Sequence, residues 1–380
     1  MAPLGQIAGL VVLALVLAGC GSDSGGTVPA GVEFDASGWS TDFSKHSVPL
    51  DEFASGGPGK DGIPAIDRPR FVDVAGADRF LTDEEPVAVV ELGGEASAYP
   101  IQIMVWHEIV NDELAGRPIA MTYCPLCNST VAFDRRVDGR PLTFGTTGNL
   151  RRSDLVMYDR QTESWWQQIT AEAVVGELTG TKLNVLPSQI LSWAQFSRLY
   201  PDGRVLSTET GFAQPYGRNP YEGYDRAGSA PFALGAEPDR TLPPKERVAA
   251  VETGKDSAVV YPFSRLEREA PVNDTAFDDR PIAVFFDPGV GSPLDAAEVP
   301  LGREVGAAAV FDRTVGGRTL TFTAGPAPGA FRDRQTGSTW EMTGRATAGP
   351  LKGEVLDQVP SDDQFWFALA AFFPDAEIRR

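Results

Sequence analysis

The chain has 380 residues, 42% of them apolar and 22% charged, with a net charge of −19, 40 glycines and 30 prolines. That length accommodates two ordinary domains with real cores. The acidity excludes a nucleic-acid binder, because no basic stripe exists to release counterions from phosphate, and the glycine and proline content points to strands and turns rather than long helices.

Residues 7–19 are almost wholly apolar, and Leu17-Ala18-Gly19-Cys20 leads into Gly-Ser-Asp-Ser-Gly-Gly. A stretch that short is an export segment rather than a bilayer span. Small residues before a cysteine match the lipoprotein pattern, in which Cys20 carries the lipid and tethers the chain to a membrane outside the cytoplasm, in the cell envelope. No Lys or Arg precedes the apolar run, a departure from the usual export signal. With Cys20 lipidated, the remaining thiols are Cys124 and Cys127.

Past the tether, the sequence reads as one unit used twice. Leu81 to Glu91 pairs with Leu242 to Glu252, and Arg117-Pro118-Ile119-Ala120 recurs as Arg280-Pro281-Ile282-Ala283. Phe133-Asp134-Arg135 returns as Phe311-Asp312-Arg313, and Asp159-Arg160-Gln161-Thr162 with Trp166 returns as Asp333-Arg334-Gln335-Thr336 with Trp340. The resulting organisation is a lipoprotein signal at 1–19, a flexible tether at 20–40 and an N-terminal extension at 41–80 packed on the first unit. The first unit occupies 81–210, a Gly/Pro/Tyr-rich linker 211–241, and a second, cysteine-free and degenerate unit 242–380.

Within the first unit, the patterning predicts a strand over 87–92 and a helix over 101–114. A buried strand follows over 119–123, ending at Cys124. Residues 131–135 and 142–146 read as a hairpin about Asp138-Gly139. Further strand follows at 155–158 and 174–185, and a helix over 188–199 is capped by Ser188. The fold class is therefore α+β, mostly β, in two tandem copies. The linker, with Pro215-Tyr216-Gly217-Arg218-Asn219-Pro220-Tyr221, reads as surface connection.

The repeat supplies an internal control. Where the first unit has His107 and Cys124, the second has Glu269 and Asp287, and the Cys127 region becomes a longer Pro-Gly-Val-Gly-Ser stretch. Cysteines needed for folding would be needed twice, so their presence in one copy marks a specialised site. Cys-x-x-Cys lets two thiolates converge on one cation, and Asn128 suits the left-handed backbone that follows such a knuckle. One knuckle cannot build a four-cysteine site. His107 is the expected third ligand, with a carboxylate such as Asp134 or Glu108 completing the set, and sulfur with imidazole suits copper or zinc.

Two other readings stand beside the metal site. A thiol-disulfide oxidoreductase would use Cys124 and Cys127, although the residues after Cys127 read as strand and turn rather than as the helix that lowers a thiol's pKa. A binding module would keep the cysteines as a structural clip and hold a small ligand or protein partner with the Tyr-rich linker and Trp165-Trp166. Whether the chain turns over a substrate is left open by the residues.

Tyr99-Pro100 to Asp112 with Trp106-His107-Glu108, then Thr122-Tyr123-Cys124-Pro125-Leu126-Cys127, resembles domain-of-unknown-function family 3179. Ser153 to Arg160 and the Gly-Ile-Pro-Ala-Ile-Asp67-Arg68 segment carry the same resemblance, over roughly residues 41–225. It implies bacterial and archaeal proteins, often exported, and no particular activity.

Overall fold

The computed structural model describes residue 34, residues 36–276 and residues 279–379. The signal segment and Cys20 lie outside the described residues. Among those described, no helix is long and apolar enough to cross a membrane. The structure is mostly β, with a few helices of seven residues.

In the first half, Pro86–Leu92 and Glu95–Pro100 form an antiparallel pair inside a five-stranded sheet with Gln189–Ser192, Arg204–Leu206 and Phe71–Val72. Ile109–Leu114, Arg117–Cys124, Ser129–Asp134 and Asn184–Leu186 make an antiparallel four-stranded sheet. A third sheet runs through Phe53–Ser55, Phe144–Arg151, Asp154–Asp159, Trp165–Gln167 and Glu172–Val175.

Four sequence expectations are modified. The turn at Asp138-Gly139 closes only the short pair Arg136–Val137 and Arg140–Pro141, whereas Ser129–Asp134 and Phe144–Arg151, expected as one hairpin, lie in different sheets. The helix expected over 101–114 stops at His107, and Ile109–Leu114 is a strand paired residue for residue with Arg117–Cys124 through the turn at Ala115-Gly116, both at positive φ. Six ladder positions and a burial pattern set by tertiary contact override the helical spacing. The helix expected over 188–199 begins one turn later: Gln189–Ser192 is a strand, and Ser192, not Ser188, caps Trp193–Leu199 in a capping box with Gln195. The stretch 174–185 divides into the ends of two strands, in different sheets.

The second half has sheets of the same order. Asp362–Phe365, Arg247–Gly254, Ser257–Pro262 and Glu377–Ile378 form one sheet. Val272–Thr275, Pro281–Asp287, Ala307–Asp312 and Gln358–Val359 form another, and Phe322–Ala324, Ala330–Asp333, Thr339–Glu341 and Ala346–Ala348 a third. Matching side chains make matching bonds in the two halves. Asn111 brackets the backbone of Phe144 as Asn273 brackets Phe322. The indole N–H of Trp166 donates to Asp159 at 3.0 Å, and that of Trp340 to Asp333 at 3.0 Å.

The halves pack reciprocally. Trp193 and Phe196 of the first half lie in one core with Phe285, Phe311, Phe331 and Trp340 of the second. Phe365, Phe367 and Ala368 of the second half lie in another with Phe133, Phe144, Trp166 and both cysteines of the first. Each fully buried aromatic contributes roughly 1.5–3 kcal/mol. The consequence for function is positional: the Cys-x-x-Cys loop lies in the seam between the halves.

Candidate metal centre

The Cys-x-x-Cys segment closes a β-hairpin. Cys124 ends Arg117–Cys124 and pairs with Ser129, the first residue of Ser129–Asp134. Asn128 turns the corner at φ 56, the left-handed conformation that asparagine tolerates. The second half reaches across this loop. Phe365 N–H donates to the Cys127 carbonyl at 2.9 Å, and Asn128 Nδ2 donates to the Asp363 carbonyl at 3.2 Å. Ser129 Oγ and Thr130 N–H both donate to Asp362, at 2.5 and 2.9 Å.

A second hairpin brings the third group. Phe144–Arg151 and Asp154–Asp159 are joined by Arg152 and Ser153, at φ 51 and 73. Two successive left-handed residues make a tight turn of the primed type, which asparagine and glycine usually supply. The turn aims the Ser153 carbonyl at both sulfurs, 3.4 Å from Cys127 Sγ and 3.8 Å from Cys124 Sγ. It also sets Asp154 beside them: one ligand atom each from Cys124, Cys127 and Asp154 lie within 4.8 Å of one another, all three residues buried. Asp154 Oδ2 accepts from Gln167 Nε2 at 2.5 Å and Ile169 N–H at 3.1 Å. Its Oδ1 is buried with no hydrogen-bond partner.

The expected third ligand, His107, is not in this group. Its Nδ1 is 2.7 Å from the Pro64 carbonyl, which can only accept, so that nitrogen carries the proton. Nε2 then accepts from the Tyr216 hydroxyl at 2.7 Å. Burial holds the ring below its ordinary pKa, as a neutral, fully engaged imidazole requires. The carboxylates considered with it divide. Asp134 is committed to Arg136, at 2.5 Å. Glu108 lies within electrostatic reach of Asp154 and Cys124, its backbone at φ 57 where the helix breaks. Trp165 and Trp166 are fully buried core residues, Trp165 packed among Phe34, Trp39, Phe43 and Phe53. They present no surface to a ligand.

Burial dominates the electrostatics. It raises both thiols, Cys127 well above the ordinary value, and pushes the Glu108 carboxyl up to about 8. Asp154 is pushed up to about 6 by the same effect, opposed by the bonds from Gln167 and Ile169 and by the neighbouring Cys127 thiol. Lys245 of the second half lies over the rings of Tyr224, Phe365 and Phe367, at 3.1, 4.8 and 4.8 Å from their centroids. Burial pulls its ammonium down to about 7, with Cys127 the first of the charges opposing that shift.

The pocket is roofed by the linker. Tyr221, Tyr224 and Leu234 pack on the cysteine cluster, and the Ala233 carbonyl accepts from Ser153 N–H at 3.0 Å. Outside the Arg152-Ser153 turn runs a groove of about 820 Å³, lined by Glu52, Arg152, Leu234 and Phe367 but not by either cysteine.

These donors fit a metal ion. Thiolates prefer soft and borderline cations, and an oxygen from Asp154 is a common third ligand for zinc. A buried carboxylate oxygen without a partner, facing two thiols, is a costly arrangement unless a cation or proton completes it. Sequence reasoning did not single out Asp154 as a ligand. The signal that could have found it was its place in the Ser153-Asp154 stretch, together with Pro328 standing at the matching distance before Asp333 in the second half.

Comparison with curated proteins and with solved structures gives no match. Residues 60–376 match the family described as "Protein of unknown function (DUF3179)", so the match runs through the cysteine-free half as well as the first. The chain belongs to that family.

Proposed function

We propose that this chain is a lipid-anchored protein of the cell envelope that holds one soft metal ion, zinc or copper, through Cys124, Cys127 and Asp154. The observation that carries the reading is the convergence of two sulfurs and an unpartnered carboxylate oxygen in a sealed pocket. Asp154 takes the place first given to His107, whose two nitrogens are already bonded. The matched order of elements supports descent of both halves from one unit, and all three ligand positions are replaced together in the second: Asp287 for Cys124, the Pro-Gly-Val-Gly-Ser stretch around Cys127, and Pro328 for Asp154. Joint loss is what a dispensed-with metal site produces.

Thiol-disulfide exchange is disfavoured by the same geometry. An attacking thiol needs exposure and thiolate character, whereas both cysteines are buried and raised in pKa. The test is elemental analysis of protein purified without chelator. Wild type should carry about one metal ion per chain, and the Cys124→Ser/Cys127→Ser double variant none. Equal metal in the two would refute the reading. Membrane anchoring is tested separately: Cys20→Ala should release the chain from the membrane fraction, and full retention would refute lipidation there.

A further inference from the structure

We infer that the groove outside the Arg152-Ser153 turn is the path by which a metal cation enters the sealed cysteine pocket, and that this turn is the gate, buttoned shut by the Arg152 guanidinium. The inference rests on the metal reading above and gives that site its access route. The groove holds about 820 Å³, and neither cysteine lines it. What separates groove from sulfur is thin. Arg152 lines the groove, and the carbonyl of the next residue, Ser153, lies 3.4 Å from Cys127 Sγ and 3.8 Å from Cys124 Sγ. Ala233, also on the groove, accepts the Ser153 N–H at 3.0 Å. Leu234 and Phe367 line the groove and belong to the same buried cluster as both cysteines. One turn and two side chains therefore stand between the open groove and the thiols.

The turn is strained, and one side chain holds it closed. Arg152 and Ser153 sit at φ 51 and 73, left-handed conformations that residues other than glycine adopt at a cost. The matching turn of the second half joins Phe322–Ala324 to Ala330–Asp333 through Gly325-Pro326-Ala327-Pro328-Gly329, with glycine at φ 66. Of the two turns, the one beside the cysteines is the strained one. Arg152 Nε and Nη2 donate to the Glu52 carboxylate at 3.1 and 3.2 Å, and Nη1 donates to the Ala371 carbonyl at 2.5 Å. These bonds fasten the turn to the N-terminal extension on one side and to the helix Trp366–Phe372 on the other. The Arg152 side chain is 37% exposed, so water can take over its bonds when the turn swings out. Glu52 stays paired when Arg152 leaves, because Arg151 Nη2 holds the same carboxylate at 2.7 Å. Asp51, Glu52, Glu237 and Asp239 line the groove against Arg152 alone, a balance that favours passage of a cation over an anion.

The experiment measures how fast Cys124 and Cys127 react with a maleimide in the full chain, in detergent with excess chelator, by peptide mass spectrometry. Arg152→Ala should raise the rate about 10-fold, the factor that one charge-assisted hydrogen bond supplies. Arg152→Gln serves the same comparison should the alanine variant not fold. Adding Ala236→Trp, which fills the groove from its linker wall, should remove most of that gain; a gain that survives the plug overturns the path through the groove. An unchanged rate in Arg152→Ala overturns the gate, and so does a faster rate matched by an equal fall in global stability in a urea melt of the same sample. With zinc(II) as the probe, stopped-flow uptake and chelator-driven release should quicken by one common factor in Arg152→Ala while the equilibrium affinity holds. A loss of affinity in place of faster exchange assigns Arg152 to the stability of the site and overturns its gating role. Equal zinc uptake by wild type and the Cys124→Ser/Cys127→Ser variant instead overturns the metal reading, and the maleimide rates then judge the gate on their own.

Discussion

The pH dependence of metal affinity follows from the site's protonation. In the metal-free pocket both thiols are raised by burial and carry protons at neutral pH. A metal needs both as thiolates, so binding expels two protons. Asp154, titrating near 6, adds a third below that value. Affinity therefore rises with pH: about three decades per unit below pH 6 and about two above it while both thiols still carry protons. Two protons correspond to about 2.7 kcal/mol of apparent binding energy per pH unit. Zinc titrations from pH 5.5 to 8.5, with calorimetry in two buffers of different ionisation enthalpy to count protons, measure this directly. A flat profile, with no proton released, would show that the ligands are not buried thiols.

Two structural predictions follow from paired features of the halves. Asn111→Ala should destabilise by about 2–4 kcal/mol, because the side chain serves both Phe144 N–H and its carbonyl as well as Asp67, whereas the more exposed Asn273→Ala should cost about 1–2 kcal/mol; urea unfolding that ranks them in reverse refutes the argument. Asp225→Asn should cost about 3–5 kcal/mol by stranding buried Arg247, and should raise the reactivity of Cys124 and Cys127 toward a thiol reagent, because Asp225 fastens the linker that roofs them. Unchanged thiol protection would mean the roof is held by its apolar contacts alone.

Much of the fold was legible because short-range physics writes it. Asp138-Gly139 takes positive φ where a short hairpin reverses, and Asn128 does so after the second cysteine. The errors were of one kind. Residues 109–114 carry a helix-compatible spacing but become a strand, because six ladder positions on Arg117–Cys124 outweigh a weak local preference. Ser188 and Ser192 both look like caps, and the box with Gln195 chose the latter.

The site divides along the same line. By itself the sequence determined that two thiols three positions apart form a hairpin knuckle, since local chain geometry brings them together. It also suggested His107, a neighbour along the chain. Only the tertiary structure decided which distant groups complete the pocket: His107 is captured by Pro64 and Tyr216, while Asp154 arrives on a separate hairpin. No spacing rule reaches across such separations, because these partners are set by how sheets and halves pack and not by the covalent distance between residues.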